Sequence, residues 1–575
     1  MNNVLLPYAR KHKRFHIDTY HLGAATIITI ATLLRVLLIS QGWPELDSDQ
    51  STMGLMALHI AYSGEHPVFF YGQHYMGSLE AFLAAPLFSL FGPSTFSLRL
   101  GVIFLFILFL ISMYLLTRLL YSKQLALATL ILLSLGSSVL LQRELATIGG
   151  YQETIFFGSV AFLLATWLAL SQSHIVSRRD QRWRLIAYAG WGLAVGLGIW
   201  SDVLILPFVL GSGLILVVFC WREWRSWAPV FLALGFIAGA FPFLYANLTL
   251  PPVANTFTDI LKVHQEGADL LTLTYPRFPL IAQVSNAFFI SLPTETGINL
   301  NCNVAEISVS GILHKKTLLC SASYLSWGLG FTLLWLIAMI LAIRGIWKSW
   351  RRSPKGIPSY EQRQTFIRHF ARLVLLGSAG LTMLLYVLSP SPAVWPTTSA
   401  RYLFGLLVVT PAIISPLWSG FSSLKWPLIR LSNFFITFRG IVLLIIGAVF
   451  LLGTISTLSL IPQTQAINQQ QETFVHDLLR RGLTRIYSDY WTCDRTTFQS
   501  KEKIICSDLI FINGQLKAHD RYAPYYAIIH ANLHAAYILR IGSTEAETFA
   551  QKIESHTDQQ FLHFRMDGYE VYQPW

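Results

Sequence analysis

The sequence predicts an α-helical polytopic membrane protein, with about eleven transmembrane helices and a small extracytoplasmic α/β domain at its C-terminal end. The chain is 53% hydrophobic and has a mean hydropathy of +0.50. Only 13% of its residues are charged, where a soluble protein carries about 25%. The charges are also unevenly spread, and long stretches hold none. A helix crossing the hydrocarbon core needs about 20 apolar residues, because every backbone N–H and C=O there must be satisfied within the segment. The 17 Trp and 23 Tyr suit a protein with two membrane–water interfaces to occupy. The net charge of +12 belongs in such a chain to cytoplasmic loops and anionic headgroups, so nucleic acid is not an expected partner.

The first apolar run, 22–40, follows Arg10, Lys11, Lys13 and Arg14 and lacks a small-residue cleavage site. It reads as a retained span with the N-terminus in the cytoplasm. Further runs lie at 97–120, 124–141, 155–171, 185–200, 203–220, 228–246, 322–343, 371–389, 402–420 and 439–460. This threading gathers Arg118 and Lys123, then Arg178, Arg179, Arg182 and Arg184, then Arg222 and Arg225 into inside loops. Arg344 through Arg372, and Lys425, Arg430 and Arg439, follow in the same way. The positive-inside rule holds at every turn, and the odd count puts the C-terminus outside. Ser78–Phe91 is too short for a span and reads as a helix lying in the interface. Counting it as a span would move the Arg178–Arg184 cluster outside.

The resulting organisation is a transmembrane domain over 1–461 and an extracytoplasmic α/β domain over 462–575. The transmembrane part has a first outer loop at 41–96, a long outer loop at 248–321 and a basic inner loop at 346–369. In the C-terminal part, β-like runs at 485–490, 503–506, 509–513 and 536–540 alternate with helix-like stretches at 471–481 and 544–555. Cys302, Cys320, Cys493 and Cys506 fall outside. The local pairing is Cys302–Cys320 and Cys493–Cys506, with free thiols as the alternative. No Cys/His cluster has zinc spacing.

The first outer loop is the most informative stretch. It opens Glu45-Leu46-Asp47-Ser48-Asp49-Gln50, ahead of an apolar helix-like segment. A carboxylate at the foot of a span and beside a helix start is ordered and partly desolvated, conditions that suit a general base. Capping of that helix by Asp47, Ser48 or Asp49 is the alternative, and one aspartate can cap while the other reacts. Tyr71, Gln73, Tyr75 and Glu80 follow, interleaving rings and polar groups as a carbohydrate surface does; an interfacial aromatic belt explains the rings equally well.

Asp49-Gln50, Gly54-Leu55-Met56-Ala57, Phe69-Phe70-Tyr71-Gly72-Gln73, Tyr75-Met76-Gly77-Ser78-Leu79-Glu80 and Phe91-Gly92-Pro93-Ser94 before Arg99-Leu100 together carry a resemblance. Gly149-Gly150-Tyr151-Gln152-Glu153, Trp200-Ser201-Asp202, Ala400-Arg401-Tyr402-Leu403 and Tyr487-Ser488-Asp489-Tyr490-Trp491-Thr492 extend it over most of the chain. In this order they resemble the GT-C membrane glycosyltransferases. The branch that looks closest is the bacterial family 39 group, related to protein O-mannosyltransferases, aminoarabinose transferases and RgtA/B/C/D-like enzymes.

The resemblance implies a sugar moved from a polyprenyl-phosphate donor to a glycan, lipid or protein acceptor on the extracytoplasmic face of a bacterial inner membrane, with inversion. Asp49 matches the catalytic acid, with Asp47, Glu153 and Asp202 as supporting acids. Tyr71, Gln73, Tyr75, Glu80 and Tyr151 match substrate-contact positions. Gln50 stands where the family commonly has a second acid, and Met76 falls roughly where some relatives place a lysine. The donor phosphate therefore falls to Arg401 and Arg143, through bidentate bonding. In the long outer loop Lys262, His264 and Glu266 are further candidate contacts. No cofactor or metal is required, although Asp49 with Glu153 could hold a divalent cation. A transporter or flippase for a lipid-linked sugar and a glycan-binding assembly protein are the competing classes. Convergence of Asp49, Glu153 and Arg401 on one cavity distinguishes the enzyme from both.

Overall fold

The computed structural model describes residues 18–172, 178–251, 255–275, 279–298, 318–351, 360–419, 429–512, 515–519, 521–555 and 560–575. The helical part begins with α1 (Thr19–Ser40), and α2 (Ser48–Leu58) leads from it to a two-stranded antiparallel hairpin, β1 (Phe69–Phe70) and β2 (Gln73–Gly77). Then come α3 (Leu79–Phe91), α4 (Thr95–Leu120), α5 (Lys123–Ser134), α6 (Ser138–Leu145), α7 (Tyr151–Ser171) and α8 (Arg178–Ser201). The chain continues through α9 (Leu206–Cys220), α10 (Ala228–Thr249), α11 (Thr256–Thr274), α12 (Pro279–Asn286), α13 (Leu292–Thr296), α14 (Leu318–Arg351) and α15 (Tyr360–Leu388). After α16 (Ser391–Val394), a tight 3₁₀ segment, Ser399–Val409, runs into α17 (Thr410–Ser419), and α18 (Ile429–Ser459) precedes α19 (Ile461–Arg480).

Among the described residues, nine helices are long and apolar enough to cross a membrane, or ten if one bent pair is a single span. The bent pair revises the run expected at 124–141: α5 and α6 meet at 89°. Leu135 leaves the helix in an extended conformation, and Ser137 caps α6 through the Leu140 N–H at 3.2 Å. The freed Gly136 N–H is taken by Thr454 Oγ1 of α18 at 3.1 Å. Arg143 therefore sits on a crosswise helix, not at the outer end of a straight span. The remaining expected run, 185–200, lies in α8, whose first turns carry Arg178, Arg179, Arg182 and Arg184. α8 crosses α10 backbone to backbone: a Cβ at Gly192 or Gly196 would fall 2.1 or 2.5 Å from a carbonyl oxygen of α10. Small residues spaced four apart permit such close packing where the solvent gives helices no hydrophobic drive to associate. α3, with 13 residues, is shorter than a span requires.

Leu460 interrupts α18 and α19 only briefly, so one helical rod of 43 residues, Phe438–Arg480, leads out of the bundle. It reaches a mixed six-stranded sheet of order β5-β4-β3-β6-β8-β7. These strands are β3 (Arg485–Asp489), β4 (Ile505–Ile512), β5 (Gln515–Ala518), β6 (Ala536–Arg540), β7 (Phe561–Met566) and β8 (Tyr569–Pro574). The separate runs expected at 503–506 and 509–513 are one strand, β4. Helices α20 (Tyr490–Gln499), α21 (Ala523–His530) and α22 (Thr544–Ser555) accompany the sheet. β3 pairs in parallel with β4 on one side and β6 on the other. Cys493 and Cys506 are joined, tying α20 to β4. Cys302 lies outside the described residues, and so does the pairing expected for it.

Candidate active site

At the start of α2 the two aspartates separate. Asp47 is the N-cap, accepting the Gln50 N–H at 2.8 Å. Burial pushes its carboxyl above the usual range, and the neighbouring Asp49 adds to this. Asp49, one position into the helix, turns its carboxylate toward the C-terminal sheet. Its Oδ1 accepts from the Tyr490 hydroxyl and from Arg521 Nη2 at 3.4 Å. Its Oδ2 faces Arg401 Nη1 at 3.9 Å. The side chain stays about one-fifth exposed (21%). Gln50 Oε1 accepts from Arg99 Nε and Nη2 at 3.1 and 2.9 Å. The Gln50 amide is thus engaged inside the protein, its Nε2 donating to the Glu45 carbonyl at 3.3 Å.

Fold topology explains how Tyr490 arrives there. β3 is the strand at which the parallel order reverses, and crevices at such switch points open beyond the strands' carboxyl ends. Tyr490 directly follows β3 and sits at that edge. Arg521 stands where the hairpin turn at Gly72 leaves room: a Cβ on Gly72 would lie 3.3 Å from the Arg521 Cα. Its guanidinium stacks on the rings of Tyr490, at 4.5 Å, and Phe70, at 5.2 Å.

Behind Asp49 lies a buried polar layer. Arg401 rests against the rings of Tyr151 and Tyr402 at 5.8 and 5.7 Å. Tyr75 lies in the same field, close to Tyr402, Asp202, Arg401 and Arg521. Asp202 accepts the Leu204 N–H at 2.9 Å and packs against Gly150, where a Cβ would come within 2.6 Å of Asp202 Oδ2. That close approach, at φ +82°, requires glycine in the Gly149-Gly150 pair. Glu80 Oε2 accepts the Gly149 N–H at 2.9 Å, and Glu153 lies beside it. Neither oxygen of Glu295 is hydrogen-bonded, and its nearest opposite charges are Arg143 and Arg401. Arg401 Nε, Arg143 Nε, and Arg521 Nε and Nη1 are also buried without partners among the described residues. Orphaned buried donors of this kind suit a polyanionic ligand.

The layer combines cations with carboxyls that hold their protons tightly. Burial raises Asp202 to about 7 and Glu295 to about 7. Burial and the adjacent Glu153 raise Glu80 well above its ordinary value. Asp202 therefore favours the fold when protonated. Its contribution is complete below its unfolded value of 3.8 and is lost as pH rises through about 7. Asp202→Asn retains the acceptor for Leu204 and is expected to flatten the decline in thermal stability between pH 4 and 7. Unfolding scans of both proteins in detergent measure this, and equal slopes would refute it.

Asp49 and Arg401 thus meet directly, with Asp202 and Glu153 next in depth. Tyr151 and Tyr75 line the same region. Tyr71 lies apart, bonded to Glu65 and His59, and Gln73 occupies the hairpin foot opposite Phe70. Glu80 is turned inward. Lys262, His264 and Glu266 fall on the exposed face of α11. Met76 is buried and bridged through its backbone to Asp202. Arg521, Tyr402, Tyr490 and Glu295 were not singled out as site residues from sequence. Tyr402 and Tyr490 fall within the motifs that carry the resemblance, and Glu295 is a lone acid in the otherwise uncharged stretch 279–298. The described residues contain no group of three or more His, Cys, Asp or Glu placed to hold a metal ion.

No family model and no curated protein matches the chain. Among solved structures it is similar to ArnT from Cupriavidus metallidurans bound to undecaprenyl phosphate, at 14% identity and a TM-score of 0.49, covering 96% of this chain and 97% of that one. The apo form of that protein gives 13% identity and 0.49, over 97% and 98%. The apo oligosaccharyltransferase of Archaeoglobus fulgidus gives 14% identity and 0.48, covering 96% of this chain and 74% of that one. These likenesses follow the chain along nearly its whole length, at identities too low to transfer the role of any residue.

Proposed function

We propose that this protein is an inverting membrane glycosyltransferase that takes its sugar from a polyprenyl-phosphate donor, with Asp49 as the general base. The observation that carries the reading is the setting of Asp49. It is a partly exposed carboxylate at the end of a helical bundle, held between Arg401 of the bundle and Arg521 and Tyr490 of the C-terminal unit. A lipid-linked donor presents its sugar at such a boundary. In the proposed step the acceptor hydroxyl attacks the anomeric carbon opposite the phosphate. A carbon–oxygen bond forms there, the bond to the phosphate oxygen breaks, and the hydroxyl proton passes to Asp49. Polyprenyl phosphate departs with the electron pair, its charge met by the unpartnered donors of Arg401 and Arg143. Tyr490 and Arg521 orient Asp49, and Tyr75 and Tyr151 supply faces for the sugar. On this reading residues 1–461 form the catalytic membrane domain in a bacterial inner membrane. Residues 462–575 close over it from the extracytoplasmic side.

Incubating the purified protein with a panel of polyprenyl-phosphate sugars tests this, with the anomeric configuration of the product read by NMR. Movement of intact lipid-linked sugar across vesicles, without transfer from any donor, would overturn it. The charges facing Asp49 are arginines, so EDTA is expected to leave the transfer rate unchanged. Loss of activity restored by added Mg²⁺ or Mn²⁺ would contradict that expectation.

A further inference from the structure

At the end of the bundle remote from Asp49, α5, α14, α15 and α17 enclose a second polar site. α4 gives its depth: this helix runs from Thr95 to Leu120, and Arg99, which holds Gln50, stands 21 residues before its last residue, about 32 Å at 1.5 Å per residue. Just past its last residue a cavity of about 510 Å³ opens, within the usual size of a ligand pocket. Arg344, Lys348, His369 and Arg372 line it together with Tyr121 and Trp418.

The cations are arranged in two tiers. Arg372 is held in place: Nε donates to the Leu120 carbonyl at 2.9 Å, Nη2 donates to the same oxygen, and the guanidinium lies 4.1 Å from the Tyr121 ring centroid. This caps the end of α4 but leaves the charge uncompensated. Arg344 and Lys348, one helical turn apart on α14, extend from the opposite wall and are exposed. Among the described residues no carboxylate lines the cavity, and none pairs with Arg344, Lys348 or Arg372. One anchored and two exposed cations around one apolar-floored cavity, with no carboxylate among its lining, suit an anion supplied from outside.

The surroundings identify the kind of anion. The floor is Leu125, Ala338, Leu341 and Ala342. On α14 the residues beside Arg344 that face away from the protein are Ile340 and Ile343, both about half exposed, and Trp347 and Trp350 follow. Apolar side chains giving way to tryptophans mark the level where hydrocarbon meets headgroups. A ligand there has a phosphate at the cations and a hydrocarbon body along α14. Basic pockets between membrane helices bind anionic headgroups in this way.

We propose that this cavity is a binding site for the phosphodiester headgroup of an anionic glycerophospholipid, distinct from the Asp49 site and independent of the transferase reading. Native mass spectrometry of the full-length protein tests it, with phosphatidylglycerol, phosphatidylcholine and inorganic phosphate titrated separately. Phosphatidylglycerol is expected to bind at least tenfold more tightly than phosphatidylcholine. The exposed-residue double variant Arg344→Gln/Lys348→Gln is expected to lose about thirtyfold in phosphatidylglycerol affinity at unchanged thermal stability. Equal affinity for the two lipids, or unchanged affinity in the double variant, would overturn the site. Inorganic phosphate competing as tightly as the lipid would overturn the lipid as its occupant. If the double variant unfolds early, the single variant Lys348→Gln, also exposed, decides by the same comparison.

Discussion

Asp49→Asn is expected to abolish sugar transfer while the protein accumulates in the membrane at its normal level. Asparagine is nearly isosteric and still accepts from Tyr490, so α2 and its contact with β3 remain. What disappears is the ability to take a proton and the negative charge between Arg401 and Arg521. Those pairs lie at 3.9 and 3.4 Å and are partly exposed, so their loss costs at most about 1 kcal/mol each in stability. Removing a general base costs about 10²- to 10⁴-fold in rate, or roughly 3 to 5 kcal/mol of transition-state stabilisation. The effect thus falls on turnover and not on folding. Wild-type transfer by Asp49→Asn would sink the assignment of the base. Arg521→Lys supplies a graded comparison, because it retains charge near Asp49 and loses the planar fork.

The second large effect is structural. Arg35→Met is expected to destabilise the bundle by about 3 to 5 kcal/mol, the range for removing one partner of a buried ion pair. Arg35 and Glu144 are 0% and 1% exposed and pair at 2.5 Å. Arg35 also donates to the carbonyls of Ser134, at 2.5 Å, and Leu133, at 3.4 Å, and lies over the Phe106 ring at 4.2 Å. It therefore serves two broken ends, the last turn of α5 and the acid of α6. The double variant Arg35→Met/Glu144→Met removes the stranded charge but leaves those carbonyls without a donor. It should recover only part of the loss. Thermal unfolding in detergent measures both variants, and full recovery in the double variant would show that the bend does not depend on Arg35.

The bend also shows where sequence reading fails. Hydropathy locates the apolar runs because the bilayer's demand is local. Between 124 and 141 the composition stays apolar through Leu135-Gly136-Ser137, so a broken pair looks like one span. Only long-range partners, Arg35 and Thr454, make the break tolerable. The C-terminal sheet is half legible: β3 and β6 stand out as β-like runs, whereas the β7–β8 hairpin and the continuous β4 do not. At the site, local chemistry could not choose between Asp47 and Asp49; the family resemblance pointed to Asp49, and the structure gives the cap to Asp47. Arg521 was invisible because its partner lies 472 positions away. No periodicity or motif spacing encodes a contact of that reach.

That reach bears on how the protein is made. A ribosome delivers Asp49 early, yet Tyr490 follows 441 positions later and Arg521 later still. Until then the carboxylate has only Arg401 to hold it, and for most of translation not even that. A chain stalled or clipped before Arg521 would have its helices inserted and the cluster around Asp49 unassembled. On the proposed reading, incomplete molecules in the membrane would be inert toward lipid-linked sugars, and activity would mark a chain translated past Arg521.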